Sequence, residues 1–447
     1  MINYSISRRR WLGGVGATSL LTRFSWMNAF AQTTTPDYKA LVCVFLAGGN
    51  DGHNTVVPLA QTQFNAYRAA RGGLALPDSN GSILQIATPD GTPYGLNPGL
   101  AAIHPLWAQG KLAVLANAGM LVQPVTRPQF LANAVPLPTN LFSHSDQTQQ
   151  MQSGVPSTSG GTGWGGRAAD LVQPLNGTST FPAAVSIAGP SLFCTGNVIR
   201  SASLFPGFNL DMNGMGIWPP AAANARKTGV QQVLQFDSGL ALVQAANQSR
   251  KDAIDLNSLL TGATATLTTV FPGTSLGNQL QQVAKIIKLR STTGMSRQVF
   301  LCSIGGFDTH GGQSWQQWSL LREVSEALAA FYNATGEMGI ADRVTSFTMS
   351  DFGRSLQPSG SGCDHGWGSH HLILGGAVQG GKMYGTFPTL ALGGPDDSGT
   401  RGTLIPTTST DQYGATLAAW LGVPANQLGS VFPNLGKFAN PNLGFLG

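Results

Sequence analysis

Ala40-Leu41-Val42-Cys43-Val44-Phe45-Leu46-Ala47 runs without a polar residue into Gly48-Gly49-Asn50-Asp51-Gly52. Eight apolar residues with no alternation, closed by glycines, predict a strand buried on both faces that ends in a tight loop. Similar short runs recur at Lys111–Asn117, Ala183–Ala188, Gln298–Ile304, Val344–Ser350 and His371–Leu374. Between them, Leu280, Val283, Ala284 and Ile287 mark one helical face, and Leu321, Val324, Leu328 and Phe331 another. A last helix near Gln412–Leu421 meets its stop signals at Gly422 and Pro424. Strands covered on both faces and alternating with helices predict an α/β layer fold on a mostly parallel sheet. Residues of about 189–274 break this rhythm with Gly, Pro, Asn and Thr, and read as an irregular excursion or cap on the sheet core.

Open α/β sheets place ligands at the carboxyl ends of their strands, and the polar residues here fall there. Asp51 and His53 follow the first run, Asp308 and His310 follow Gln298–Ile304, and Asp351 follows Val344–Ser350. Asp364 and His365 sit in the glycine-rich stretch Ser359–Gly366. Six of the seven histidines lie in or beside these loops or the segment Ser143-His144-Ser145-Asp146. In a chain with only 10% charged residues, this concentration suggests a metal cluster. Carboxylate oxygens suit hard divalent ions, and a mixture with imidazole suits zinc or manganese. One or two ions, drawn from Zn, Mn, Ca or Mg, could clamp a phosphate or sulfate ester. The plainer alternative is that these Asp residues merely cap glycine-rich turns.

The first residues carry an address. Arg8-Arg9-Arg10-Trp11-Leu12 precedes a weakly apolar run to Leu21, and Ala29-Phe30-Ala31 offers a small-x-small cleavage pattern. Residues 1–31 therefore read as a twin-arginine signal, implying the twin-arginine translocase as a partner during export and a periplasmic or secreted protein. The run is too short and too broken by glycine to span a bilayer, and no later stretch is long or apolar enough. Four of the five net positive charges, Arg8, Arg9, Arg10 and Arg23, belong to this segment, which removes the basis for a nucleic-acid partner. Cys43, Cys194, Cys302 and Cys363 form no CxxC. A zinc-finger-like site is thus disfavoured, although a Cys194–Cys363 disulfide is conceivable in an oxidising compartment.

Several motifs then resemble one family in the same order along the chain. They are Leu46–Gly52 with Asn54 and Pro58, Gly163–Arg167, Gly306–His310 with Gln313, Ser350–Arg354, Asp364–Gly366, and Ile405–Thr408 running into Asp411–Ala415. Together they resemble the exported bacterial family called domain of unknown function 1501, which in turn looks like the alkaline phosphatase and sulfatase superfamily. That resemblance implies an alkaline-phosphatase-like α/β/α sandwich over residues 32–447. It also implies Asp51 as the first metal ligand, Asp308 with His310 as a later pair, Asp351 as the next ligand and His365 as the last histidine. The chain departs from the pattern at Phe352, where an imidazole would be expected, and at His144, which occupies the position of a Ser or Cys nucleophile. Ser143 or Ser145, flanking it, could attack instead, or simply cap a helix.

Arg354 and Arg167 are the cations suited to gripping ester oxygens. Trp164, Trp315, Trp318 and Trp367 could line a sugar-binding surface, although 315 and 318 at helical spacing read more naturally as core. The sequence therefore supports a metal-dependent hydrolase of small-molecule or polysaccharide phosphate or sulfate esters. A non-catalytic envelope or surface assembly protein that retained the fold is the alternative.

Overall fold

A computed structural model describes residues 37–447 except 78, 80–81, 158–160, 200, 207–215 and 263–264; the twin-arginine reading of residues 1–31 lies outside the described residues. Lys39–Gly447 forms one compact unit. Its main sheet has nine strands: β1 Lys39–Leu46, β2 Leu112–Gly119, β3 Ala184–Ser186, β4 Ala202–Ser203, β5 Arg297–Ile304, β6 Val344–Ser350, β7 Ser369–Gly375, β8 Met383–Tyr384 and β9 Thr408–Ser409. Across the sheet the order is β8-β2-β7-β6-β1-β5-β3-β4, with β9 also pairing with β2. Every expected strand is present. All pairings are parallel except those of β7 with β2 and β6.

The central position of β1 explains its composition. Ala40 to Leu46 are at most 2% exposed, which requires cover on both faces. Among the helices are α1 His144–Ser153, α2 Trp164–Val172, α3 Pro220–Gln235, α4 Ala241–Gly262, α5 Ser275–Lys288, α6 Gln313–Glu337 and α7 Thr410–Leu421. α5 packs on β5 and α6, while α2 and α7 pack on each other and on β5 and β1. The faces forecast by spacing are the buried ones: Leu280, Val283, Ala284 and Ile287 on α5, and Leu321, Val324, Leu328 and Phe331 on α6. At ~1.5–3 kcal/mol per buried large aliphatic side chain, these stripes hold the layers on the sheet. α7 begins with a capping box between Ser409 and Gln412 and ends at Gly422, φ 119°. Within 189–274, where composition suggested irregular chain, the structure places β4 and two helices, α3 and α4, that pack on each other. Among the described residues no helix is long and apolar enough to cross a membrane.

Parallel pairing of β1 with β5 and β6 brings three strand ends to one edge. Gly48, φ 117°, makes that convergence close: a Cβ there would stand 2.4 Å from the backbone nitrogen of Asp308. Only glycine allows the two loops to touch.

β7 carries His370 and His371 into the interior, and His53 lies nearby; all three are buried. Burial lowers His53 and His371 to about 4 and His370 to about 3. The folded state thus binds fewer protons than the unfolded chain below the ordinary value of 6.5. Stability from these groups is complete above that pH and is lost as pH falls towards about 4, by roughly 3 kcal/mol for His371 alone. The urea midpoint should drop across this window, and His371→Phe should flatten the drop. An unchanged profile in the variant would remove His371 from the account.

Candidate metal centre

The edge formed by β1, β5 and β6 presents Asp51, Asp308 with His310, and Asp351. After β6 the chain folds into a hairpin of Arg354–Ser359 and Gly362–His365, whose register sets Arg354 opposite His365. The N-terminus of α1 contributes His144 from far away in sequence. Three separate parts of the chain thus meet over the strand ends.

Their meeting point is Asp308 Oδ1. Around it stand His310 Nε2 at 3.1 Å, His144 Nε2 at 3.2 Å and His365 Nε2 at 3.4 Å, together with the Arg354 guanidinium, which bonds the same oxygen. Donor atoms of His144, Asp308 and His365 all lie within 4.8 Å of one another. Burial raises the Asp308 carboxyl, but the Arg354 hydrogen bond and charge, with His144 and His310, outweigh it and hold the group at about 2. Asp308 is therefore ionised at neutral pH.

The outer nitrogens decide what the inner ones offer. His365 Nδ1 faces the Phe142 carbonyl at 2.7 Å, and a carbonyl only accepts, so Nδ1 carries the proton. His144 Nδ1 faces Asp351 Oδ2 at 2.5 Å, and by the same logic donates to that carboxylate. Asp351 is itself fixed by the amides of Gly48 at 3.0 Å and Gly49 at 2.7 Å. In the neutral rings both Nε2 atoms then carry lone pairs pointed inward. That of His144 is buried without a hydrogen-bond partner, and that of His365 lies 2.9 Å from His310 Nε2, close enough that a proton or a cation must sit between them. Burial first, and the Arg354 charge with it, outweigh the bond to the Phe142 carbonyl and lower the His365 pKa, which keeps that lone pair free. An ionised carboxylate and inward-facing imidazoles, oriented by hydrogen bonds from behind, fit a divalent ion.

The remaining residues singled out in the sequence fall into different places. Asp51 lies outside this cluster: it is buried, receives the His53 amide at 3.0 Å, and is bonded by the Arg71 guanidinium and the Gln313 side chain. A fixed guanidinium already balances its charge. Arg354 is buried, and its N–H groups go to the carbonyls of Gly49 (3.0 Å), Cys363 (3.1 Å), Gly48 (2.5 Å) and Phe307 (3.1 Å) as well as to Asp308. Its donors hold the loops and Asp308, rather than standing free for ester oxygens. Arg167 likewise spends its guanidinium on the carbonyls of Thr162, Ser153 and Val431.

Asp364 is at the rim, paired with Arg401 at 2.7 Å, its other oxygen 3.8 Å from His310 Nδ1. Ser143 is the N-cap residue of α1, and the hydroxyls of Ser143 and Ser145 both turn to Asp146. Phe352, which stands where an imidazole was expected, packs its ring 4.7 Å from His144 and 4.8 Å from His365. The imidazole missing at 352 is matched by one gained at 144. All four cysteines are free and buried, so the Cys194–Cys363 bridge is not formed, and Cys363 Sγ instead meets Arg71 Nη1 at 3.0 Å.

Two participants carried no signal in the sequence. Phe142 has φ 73°, a conformation that costs a non-glycine residue on the order of 1–3 kcal/mol, and its carbonyl receives His365. Arg71 is one of two arginines, with Arg68, on the helix Gln61–Arg71.

Among solved structures, the chain is similar to the PsFucS1 sulfatase from Pseudoalteromonas sp., with 10% identity, 87% of this chain and 68% of that one covered, and a TM-score of 0.34. It is similar to the lipoteichoic acid synthase LtaP from Listeria monocytogenes, at 8% identity, coverage of 87% and 72%, and a TM-score of 0.34. A third is the wild-type alkaline phosphatase PafA, at 11% identity, coverage of 71% and 63%, and a TM-score of 0.30. No curated protein matches by sequence. Residues 38–400 match the family described as "Protein of unknown function (DUF1501)", and the chain belongs to that family.

Proposed function

We propose that the protein is an exported, metal-dependent hydrolase of phosphate or sulfate esters, acting in the periplasm or outside the cell. The observation that carries this reading is the convergence of His144, His310 and His365 Nε2 on Asp308 Oδ1. His144, Asp308 and His365 would hold the ion, with His310 beside them. A bound divalent ion supplies Lewis acidity, neutralising charge on ester oxygens and making water more acidic.

The chain's own part is to orient and to move protons. Asp351 and the Phe142 carbonyl fix the two rings, and Arg354 fixes Asp308. His310 is half exposed, and its ring lies between Asp308 Oδ1 on the Nε2 side and Asp364 Oδ1 on the Nδ1 side, a position from which it can carry a proton from the cluster to the rim. With the hydroxyls of Ser143 and Ser145 turned to Asp146, the reading relies on water and not on a seryl nucleophile. That same turn favours the second reading, a non-catalytic envelope or surface assembly protein with a structural ion.

Elemental analysis of purified protein, with assays on aryl phosphates, phosphodiesters and aryl sulfates in Zn, Mn, Ca or Mg, separates them. Turnover that a chelator abolishes and one ion restores supports the hydrolase. Bound metal without turnover on any ester supports the assembly role, and neither metal nor turnover ends the metal reading.

A further inference from the structure

The loop after β5 and the hairpin turn, with the turn Gly72–Leu74, build a second recess, and we propose that it is a stacking subsite for a pyranose ring of the substrate. The recess has a volume of about 440 Å³ and is lined by Leu74, Gly312, Ser314, Trp315, Pro358 and Ser361 among others. Of the four tryptophans that composition offered for sugar binding, Trp164 and Trp367 are buried in the core, whereas Trp315 is 69% exposed. Its position in the first turn of α6 does not bury it as helical spacing suggested.

The indole is held in place from behind. Trp318, one turn along, lies 5.0 Å away at an interplanar angle of 32°, and the Arg322 guanidinium sits 4.8 Å from the Trp318 ring. Residues three and four apart on a helix are neighbours, so the two rings and the cation form a ready-made ladder. It immobilises one side of Trp315 and leaves the ring open to the recess. A rigid indole gives large contact area at little conformational cost, and the C–H face of a pyranose is flat and apolar enough to lie on it.

The rest of the lining narrows the ligand class. Among the lining residues no side chain is charged and none carries an amide or a carboxylate. An anionic group finds no cationic side chain there, only the first-turn N–H groups of α6. What it offers are hydroxyls and glycine backbone. Ser361 Oγ accepts from the Gly312 amide at 3.0 Å, which leaves its own proton to donate. Neutral hydroxyls at the rim of an apolar platform suit a ring bearing hydroxyls at its own rim.

Continuity ties the recess to the cluster. Gly312 follows His310 by two residues, and Ser361 lies in the turn of the hairpin that ends at His365. The loops are clamped together by Gln313 N to Ser361 O at 3.0 Å and Cys363 N to Thr309 O at 3.2 Å. A ring on Trp315 would therefore rest on the same pair of loops that carry His310 and His365, with the ester on that ring or one further along the chain. The inference rests on the hydrolase reading only for that ester; the ring itself binds without metal.

Calorimetric titration of chelator-treated protein with cellohexaose, laminarihexaose, xylohexaose and chitohexaose tests it. At least one should bind, Trp315→Ala should weaken it by about tenfold or more, and Trp315→Phe should restore most of the affinity. Circular dichroism and metal content of the reloaded variants should match wild type. Failure of all four sugars to bind overturns the subsite, as does wild-type affinity in Trp315→Ala. So does Trp315-dependent binding of adenosine monophosphate in their place. Sugar binding without ester turnover would instead sink the hydrolase reading and leave the subsite standing.

Discussion

Asp308→Ala is expected to strip the metal and lower ester hydrolysis by at least about a hundredfold while leaving the fold in place. Asp308 Oδ1 is the atom on which the three imidazoles converge, so its loss removes the one charged donor from the set. The cost to stability is small for two reasons. The side chain is 48% exposed, and Arg354, its main partner, keeps four backbone carbonyls. Asp364→Ala serves as the contrast, because its closest charged partner is Arg401 at the rim, and it should retain metal. The measurement is metal stoichiometry by elemental analysis together with the turnover rate. Full metal content in Asp308→Ala would show that the ion is held elsewhere.

Arg71→Met should have the opposite profile: a loss of roughly 3–5 kcal/mol of stability from leaving a buried carboxylate without its cation. Arg71 and Asp51 side chains are both 0% exposed. The guanidinium also reaches the carbonyls of Ser355 and Leu356 and the Cys363 sulfur, so one side chain ties the first strand's loop to the hairpin. Combining Arg71→Met with Asp51→Leu should recover much of the loss, since an apolar pair often replaces a buried ion pair without penalty. Urea unfolding gives the stability, and metal content gives the decisive comparison. If the double variant keeps its ion, Asp51 is a structural anion rather than the first ligand implied by family resemblance. An ion lost from a folded double variant would return Asp51 to the ligand set.

The strands were legible because burial on both faces writes itself as an unbroken apolar run, as in Ala40–Ala47. The direction of β7 was not, because an antiparallel strand flanked by covered faces has the same composition as a parallel one. At the site, residue types at strand ends pointed to the right edge of the sheet. Which nitrogen faced which oxygen depended on contacts absent from local sequence. His144 reaches Asp351 across 207 residues and His365 reaches Phe142 across 223. The function of Phe142 lies in its carbonyl, and a carbonyl is common to every residue. Arg71 stayed hidden for a related reason: its role is set by what the fold leaves unbalanced at Asp51, and an ion pair between loop and helix has no fixed spacing.

The central place of β1 in the sheet also sets a timetable for synthesis. Leu41 pairs with Val299 on one side and Thr345 on the other, more than 250 residues further along. At ~5–20 residues per second of translation, the most apolar strand of the protein waits on the order of ten seconds or longer before its first neighbour exists. During that interval Lys39–Leu46 is an unpaired aggregation-prone segment near the start of a growing chain, a natural client for a chaperone. The cluster of His144, Asp308 and His365 is complete later still, once residue 365 has been made.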